Sequence, residues 1–309
     1  LGACMRILIT GIGGRLAGLV GAVLAARPET HVIGLGGSVP GFDQIETIAG
    51  MPQGHELAAT MQELAPDVVI HLDQPGEERW EAARAGQIQT IDLLRACVAA
   101  RVRRVVLRSS TLVYGASADN PAFLPETAAL IPAASPGLQT DYVAIEQIAA
   151  EYAAKNPAMA IVSLRCAPIV GQGATSPLAT YLRRPRPLTL AGFDPRIQLL
   201  HPDDMVVAFA LAALGTAQGA FNLAASDLLL LSQAILLAGR KPTSLPSAAF
   251  SGLRLVQPVT RLLRAQLPFD AAFLQFACVA DTQRAKMELG WSPQHTAAEA
   301  VRQLMNMEN

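Results

Sequence analysis

The sequence has 309 residues, with 24 Lys and Arg against 25 Asp and Glu, for a net charge of -1 and a pI near 6.6. That length suits one large or two modest domains with a sizeable core. The balanced charge excludes the basic face that a phosphate backbone requires, so the expected partner is a small molecule and not a nucleic acid.

In chain order, residues 5–10 read as an apolar strand, 11–14 as a turn and 16–26 as a helix. Residues 31–35 and 67–72 are the next strands. Helix-period apolar positions follow over 81–100, then a strand at 104–107, a helix over 141–155 and a strand at 160–165. Beyond Gly171 the pattern loosens into irregular, proline-containing sequence up to about Leu200. A helix over 203–214 and a strand at 220–223 come next, and the C-terminal third reads as helical with proline breaks. Alternating strands and helices predict βαβ units and a parallel sheet: an α/β, doubly wound Rossmann fold. The predicted division is a dinucleotide-binding domain over 1–171, with 203–226 returning to it, and a smaller substrate domain from 172–202 and 227–309.

The strongest apolar stretch, 228–238, is interrupted by Ser232 and Gln233 and is too short to span a bilayer, so no membrane association is expected. Cys4, Cys97, Cys166 and Cys278 lie far apart in apolar contexts. They read as buried free thiols in a cytoplasmic protein, without a disulfide frame or a metal site. Leu1-Gly2-Ala3-Cys4 has the look of a lipoprotein cleavage box but lacks the preceding charged and apolar segment, and Met5 is the expected natural start.

Thr10-Gly11-Ile12-Gly13-Gly14-Arg15-Leu16-Ala17 closes the first strand and opens the first helix. Glycines permit a tight turn and close approach, small Ala17 permits helix–sheet packing, and helix N–H groups receive a pyrophosphate. Gly11, Gly14, Arg15, Leu16 and Ala17 are therefore expected to hold NAD or NADP. A second constellation, Val105 through Gly115 with Ser109, Ser110 and Thr111, delivers hydroxyls at a strand's carboxyl end, where doubly wound sheets bind ligands; capping and turn formation is the plainer use of such residues.

The segment Ser109-Ser110-Thr111-Leu112-Val113-Tyr114-Gly115 resembles the serine-bearing strand end of extended short-chain dehydrogenases/reductases of the NAD-dependent epimerase/dehydratase family. Residues 164–171 (LRCAPIVG), His201-Pro202-Asp203-Asp204, Phe221-Asn222-Leu223-Ala224 and residues 281–293 with Leu289-Gly290-Trp291 resemble later family segments in order, covering essentially the whole chain. The resemblance implies an NAD(P)-dependent oxidoreductase or epimerase/dehydratase acting on a sugar-nucleotide-like or other small alcohol or ketone, and allows a homodimer. Ser110 would bind the reacting oxygen and Tyr142 would exchange its proton.

The sequence departs from that pattern in several places. The family pairs its tyrosine with a lysine four residues later, and here that position holds Glu146, a candidate for the catalytic set with Ser110 and Tyr142, which is expected to disfavour tyrosinate. The second strand ends Leu35-Gly36-Gly37-Ser38 without the acidic residue that bonds an adenosine ribose, and Arg15 is either a partner for a 2′-phosphate or a solvated helix-start residue. After His71, read as structural, Asp73 places a carboxylate where a small residue would pass the cofactor, and is entered as a cofactor-side candidate. Arg183, Arg184, Arg186 and Arg196 suit either an anionic substrate group or a solvated loop. Two other readings stay open: a non-catalytic dinucleotide-binding or regulatory protein, and an enzyme for an apolar ketone with Phe250, Leu253, Leu255, Phe269, Phe273 and Phe276 about its pocket.

Overall fold

The computed structural model describes residues 4–38, 44–72, 83–133, 137–246, 267 and 269–306. Strands β1 (Met5–Thr10), β2 (Thr30–Leu35), β3 (Glu46–Ile48), β4 (Val68–His71), β5 (Arg104–Ser110), β6 (Ala160–Cys166) and β9 (Gly219–Leu223) pair in parallel in the order β3-β2-β1-β4-β5-β6-β9. That is the expected doubly wound sheet, with its reversal of strand order between β1 and β4.

Both faces of this sheet are covered, which explains why its strands read as predominantly apolar runs and not as alternating ones. Ile7 and Ile9 of β1 point into one core layer and Leu8 into the other; Val105 and Leu107 oppose Val106 in the same way on β5. Helices α1 (Arg15–Ala25) and α6 (Pro202–Leu214) pack together on the first face. On the second lie α2 (Gly54–Leu64), α3 (Ala83–Ala99) and α4 (Leu138–Lys155).

Strand β3 and helix α2 escape a periodicity reading for a physical reason. The strand has three residues, and α2 buries only Leu57 and Met61, a single i, i+4 pair. Helix α4 begins at Leu138, three residues before the expected start. The C-terminal third is less helical than expected. It contributes β10 (Leu229–Leu230), α7 (Leu231–Leu237) and β11 (Thr243–Leu245), then α8 (Gln283–Glu288) and α9 (Ala297–Met305). Strand β10 pairs with β8 (Arg196–Ile197), and β11 with β7 (Leu188–Leu190), making two small sheets; α5 (Pro177–Arg183) precedes them. The segment Leu289-Gly290-Trp291 docks on the start of α6: Trp291 Nε1 donates to the Asp204 carbonyl, and the Asp204 carboxylate accepts the N–H groups of Gln294 and His295.

Cys97 and Cys166 are buried free thiols, Cys278 is half-buried, and Cys4 is exposed, unlike the expectation. Among the described residues no helix is long and apolar enough to cross a membrane.

At the β1/β4 reversal the strand ends are tied by side chains. Thr10 Oγ1 lies 2.7 Å from His71 Nδ1, and Thr90 Oγ1 of α3 lies 3.4 Å from Nε2. His71 is fully buried, and burial pushes its pKa from 6.5 down to about 4. It is therefore neutral and structural, as expected. The sign of the linkage follows: the unfolded chain takes up a proton that the folded one refuses. Stability is full above pH 6.5 and falls as the pH drops toward 4, by about 3 kcal/mol over that window. Urea unfolding of the wild type at pH 7 and 4.5 should show this loss, and His71→Gln should lack most of it.

Candidate functional site at the carboxyl edge

The glycine loop joins β1 to α1 as expected. Gly11 turns at φ 70, Gly14 caps α1 in an extended conformation, and its N–H returns to the Gly11 carbonyl. A Cβ on Gly14 would come 3.3 Å from the Gly11 carbonyl oxygen, and one on Gly37 would come 2.9 Å from Gly13 Cα. The end of β2 is thus folded directly against the glycine loop, and these glycines hold open the backbone cradle that a dinucleotide diphosphate needs. Ala17 is buried behind the loop and Leu16 half-buried. Arg15 is exposed and donates to the carbonyl of Gln172, beyond β6. In this conformation it points away from the β2 end, so the 2′-phosphate contact considered for it is not made from here. Asp73 lies outside the described residues.

Strand β5 ends at Ser110, whose Oγ accepts the Leu112 N–H at 3.2 Å and caps the short turn Thr111–Tyr114. The capping use and the ligand-facing use coincide: the bond occupies a lone pair of the hydroxyl and leaves its hydrogen to donate. Ser110 and Thr111 border a cleft at the carboxyl edge of the sheet. Pro177 and Leu178 of α5, Arg196 and Ile197 of β8, and Leu231 of α7 enclose it, together with Phe269, Phe273 and Phe276. Three of the six apolar residues singled out in the sequence therefore do line a cavity; Phe250, Leu253 and Leu255 lie outside the described residues. Cys278 also borders the cleft, and burial pushes its thiol up to about 12, so it stays protonated.

Arg196 is the one member of the arginine group among the described lining residues. Arg183 instead donates to the Ala174 carbonyl, and Arg186 is exposed on its loop. Gln198 borders the cleft but is committed elsewhere, its amide donating to the Ala280 carbonyl and accepting the Ala280 N–H.

Tyr142 and Glu146 lie one turn apart on α4, yet neither is among the described residues lining the cleft. Tyr142 is packed with Val113, Tyr114, Leu124 and Val143. Glu146 is bound by Arg165 of β6, Nε donating at 2.8 and 3.0 Å and Nη2 at 2.5 Å, and by the Ser109 hydroxyl. Both members of the pair are about 95% buried. The expectation that Glu146 presents an unbalanced negative charge to the tyrosine is therefore corrected: the guanidinium neutralises it. Burial opposes the Arg165 charge, but Glu146 more than compensates and holds its pKa above the ordinary arginine value. Arg165 continues to the Tyr114 hydroxyl and the Glu126 carbonyl, and Tyr114 donates to Asn222 of β9. On the neighbouring turn, burial raises the Asp141 carboxyl against the bond it accepts from Gln87.

Sequence reasoning missed Arg165, although a signal existed. An arginine inside an otherwise apolar strand must find a carboxylate, and Glu146 was available. Away from the cleft, His201, Asp203 and His295 bring possible ligand atoms within 4.8 Å of one another. The two imidazoles are stacked 3.8 Å apart at 19°, so their in-plane lone pairs do not converge on one ion at about 2 Å.

Comparison with known proteins agrees with this architecture. Residues 7–224 match the family described as the NAD dependent epimerase/dehydratase family. An uncharacterized protein of Mycobacterium tuberculosis is 32% identical over 95% of this chain and 81% of its own length. Among solved structures, UDP-glucose 4-epimerase from Thermotoga maritima with UDP-glucose aligns at a TM-score of 0.75 and 19% identity, over 98% of this chain and 99% of that one. The dTDP-glucose 4,6-dehydratase from Bacillus anthracis in complex with NAD aligns at 0.75 and 15% identity, over 99% and 97%. At those identities the likeness is one of fold.

Removing half of the buried pair strands the other charge. Glu146→Ala should lower unfolding stability by about 3–5 kcal/mol, and Arg165→Met in the same chain should recover much of that loss. Chemical denaturation of the single and double variants measures both.

Proposed function

The chain belongs to the NAD dependent epimerase/dehydratase family, and from that premise we propose that it binds NAD or NADP along the carboxyl edge of the sheet. There it carries out oxidoreduction, epimerisation or dehydration of a nucleotide-linked sugar or a related small alcohol or ketone. One observation carries the reading: the glycine cradle after β1 and the Ser110 cleft after β5 open on the same edge of one sheet. The sugar-nucleotide class is supported by the UDP-glucose bound to the Thermotoga maritima enzyme and by the dTDP-glucose in the name of the Bacillus anthracis enzyme.

Gly11, Gly14, Arg15, Leu16 and Ala17 would hold the dinucleotide, the backbone N–H groups of the α1 start receiving its diphosphate. A bound nicotinamide supplies hydride transfer. The chain's own part is to orient and to exclude water. Ser110 retains its hydroxyl hydrogen for the reacting oxygen, the phenylalanine-rich wall dries the cleft, and Arg196 offers a cation to an anionic group such as a diphosphate. Segments 172–202 and 227–309 act in this reading as the substrate-binding part, since α5, β8 and α7 complete the cleft. Tyr142 remains the proposed proton-exchanging group, with Glu146 as the residue that positions its helix against β5 and β6.

A second reading, a dinucleotide-binding protein without turnover, is favoured by a specific observation. No lysine follows Tyr142 by one turn, and Tyr142 is packed away from the described cleft lining.

The two readings separate by experiment. Turnover of UDP- and dTDP-linked hexoses with NAD or NADP should be measurable in the wild type, and Ser110→Ala should lower kcat/KM by about 100-fold or more while dinucleotide affinity is retained. Dinucleotide binding with no turnover of any of these substrates would establish the second reading instead.

A further inference from the structure

Arg15 stands in the first turn of α1, immediately after the glycine loop, and its side chain reaches across the edge of the sheet. Nη1 donates at 2.5 Å to the carbonyl of Gln172, in the loop that leaves β6. In the sheet, β4 and β5 separate β1 from β6. The bond therefore spans the crevice at the reversal between β1 and β4, where sheets of this order take their nucleotide.

The receiving loop is shaped for it. Gly173 adopts φ 70, and a Cβ there would overlap Nη1 of Arg15 and come 2.9 Å from its Cζ. A side chain at this position would expel the guanidinium. The loop is also anchored from behind: the Ala174 N–H returns to the Gly171 carbonyl, Arg183 donates to the Ala174 carbonyl at 2.6 Å, and Ser176 caps α5 through the Ala179 N–H. One of the five guanidinium N–H donors is used on the loop, and a planar guanidinium matches phosphate oxygens in pairs.

We propose that Arg15 and Gln172 form a strap across the dinucleotide crevice, with Gly173 as its seat, and that this strap sets how long the cofactor stays bound. The proposal rests on the reading that the glycine loop takes a dinucleotide, and goes beyond it in assigning Arg15 to retention and not to recognition of the adenosine ribose. A guanidinium that keeps one donor on the anchored loop offers the others to the anionic diphosphate. Leaving the crevice then requires breaking a charge-assisted contact and releasing the loop together.

The test is a displacement experiment on the whole chain. Protein loaded with NADH or NADPH is mixed with excess oxidised dinucleotide, and release is followed by nicotinamide fluorescence. Arg15→Ala should release about tenfold faster than wild type. Gly173→Ala, which keeps the arginine but removes its seat, should also release faster. The double variant should release no faster than Arg15→Ala, because the two residues act through one contact. Release from Arg15→Ala at the wild-type rate would overturn the strap, as would a double variant whose acceleration is the product of the two singles. A wild type that binds neither dinucleotide at millimolar concentration would overturn the cofactor reading itself, and with it the strap. That result differs from strap failure, in which binding persists and only the rates coincide.

Discussion

The polar centre of this structure is a pair of opposite charges taken out of water. Glu146 and Arg165 are both almost fully buried, and charges in that position are tolerable only if their lone pairs and protons find partners. Satisfying them recruits much of the carboxyl edge. Glu146 fixes α4 against β6 and draws the Ser109 hydroxyl, which sets the end of β5 one residue before Ser110. Arg165 reaches Tyr114 and the Glu126 carbonyl, so the turn after β5 and the loop beyond it take their positions from the same guanidinium. Asn222 closes the set from β9, accepting from Tyr114 and donating to the carbonyls of Leu124 and Asp281. The edge that carries the cleft is thus positioned by a network that itself stays out of the described cleft lining.

The sheet was legible because its cause is simple. Strands covered on both faces are mostly apolar along their length, and the apolar runs in β1, β4, β5 and β6 carry that signal. Where only one side of a short element is covered, as in α2, too few residues carry the signal. The glycine loop and Ser110 were legible for a related reason, since local backbone geometry demands those residue types in that order. The role of Glu146 was not legible. Spacing along α4 shows which residues share a turn but not what a neighbouring strand places opposite them, and the partner is 19 residues away on β6. A rule about one helix face predicted a carboxylate acting on a tyrosine; a contact between helix and strand decided otherwise. The direction taken by Arg15 was hidden in the same way, its acceptor being 157 residues distant.

The cleft shows how few polar groups remain once the fold has used its share. Gln198 spends both ends of its amide on the Ala280 backbone, substituting for a strand pairing, and the Cys278 thiol is held protonated by burial. Among the described lining residues, Ser110, Thr111 and Arg196 bring the remaining polar groups to walls of phenylalanine, leucine and proline. Apolar walls of this kind select by shape and dryness, and the few polar groups select by direction. The same economy appears at the crevice floor, where Thr10 and Thr90 flank the His71 ring and burial keeps it neutral.

The reach of Asn222 bears on how the chain assembles during synthesis. Glu146 and Arg165 leave the ribosome before Asn222, and the Asp281 carbonyl that Asn222 binds lies 59 residues further on again. The Leu124 N–H and carbonyl wait for the same stretch, pairing with Val279 and Asp281. A nascent chain can therefore lay down β1 to β9 while the polar cluster at its heart still has water in place of its last partners. Residues made well after the sheet close that cluster, so the strands are finished by a segment far downstream of them.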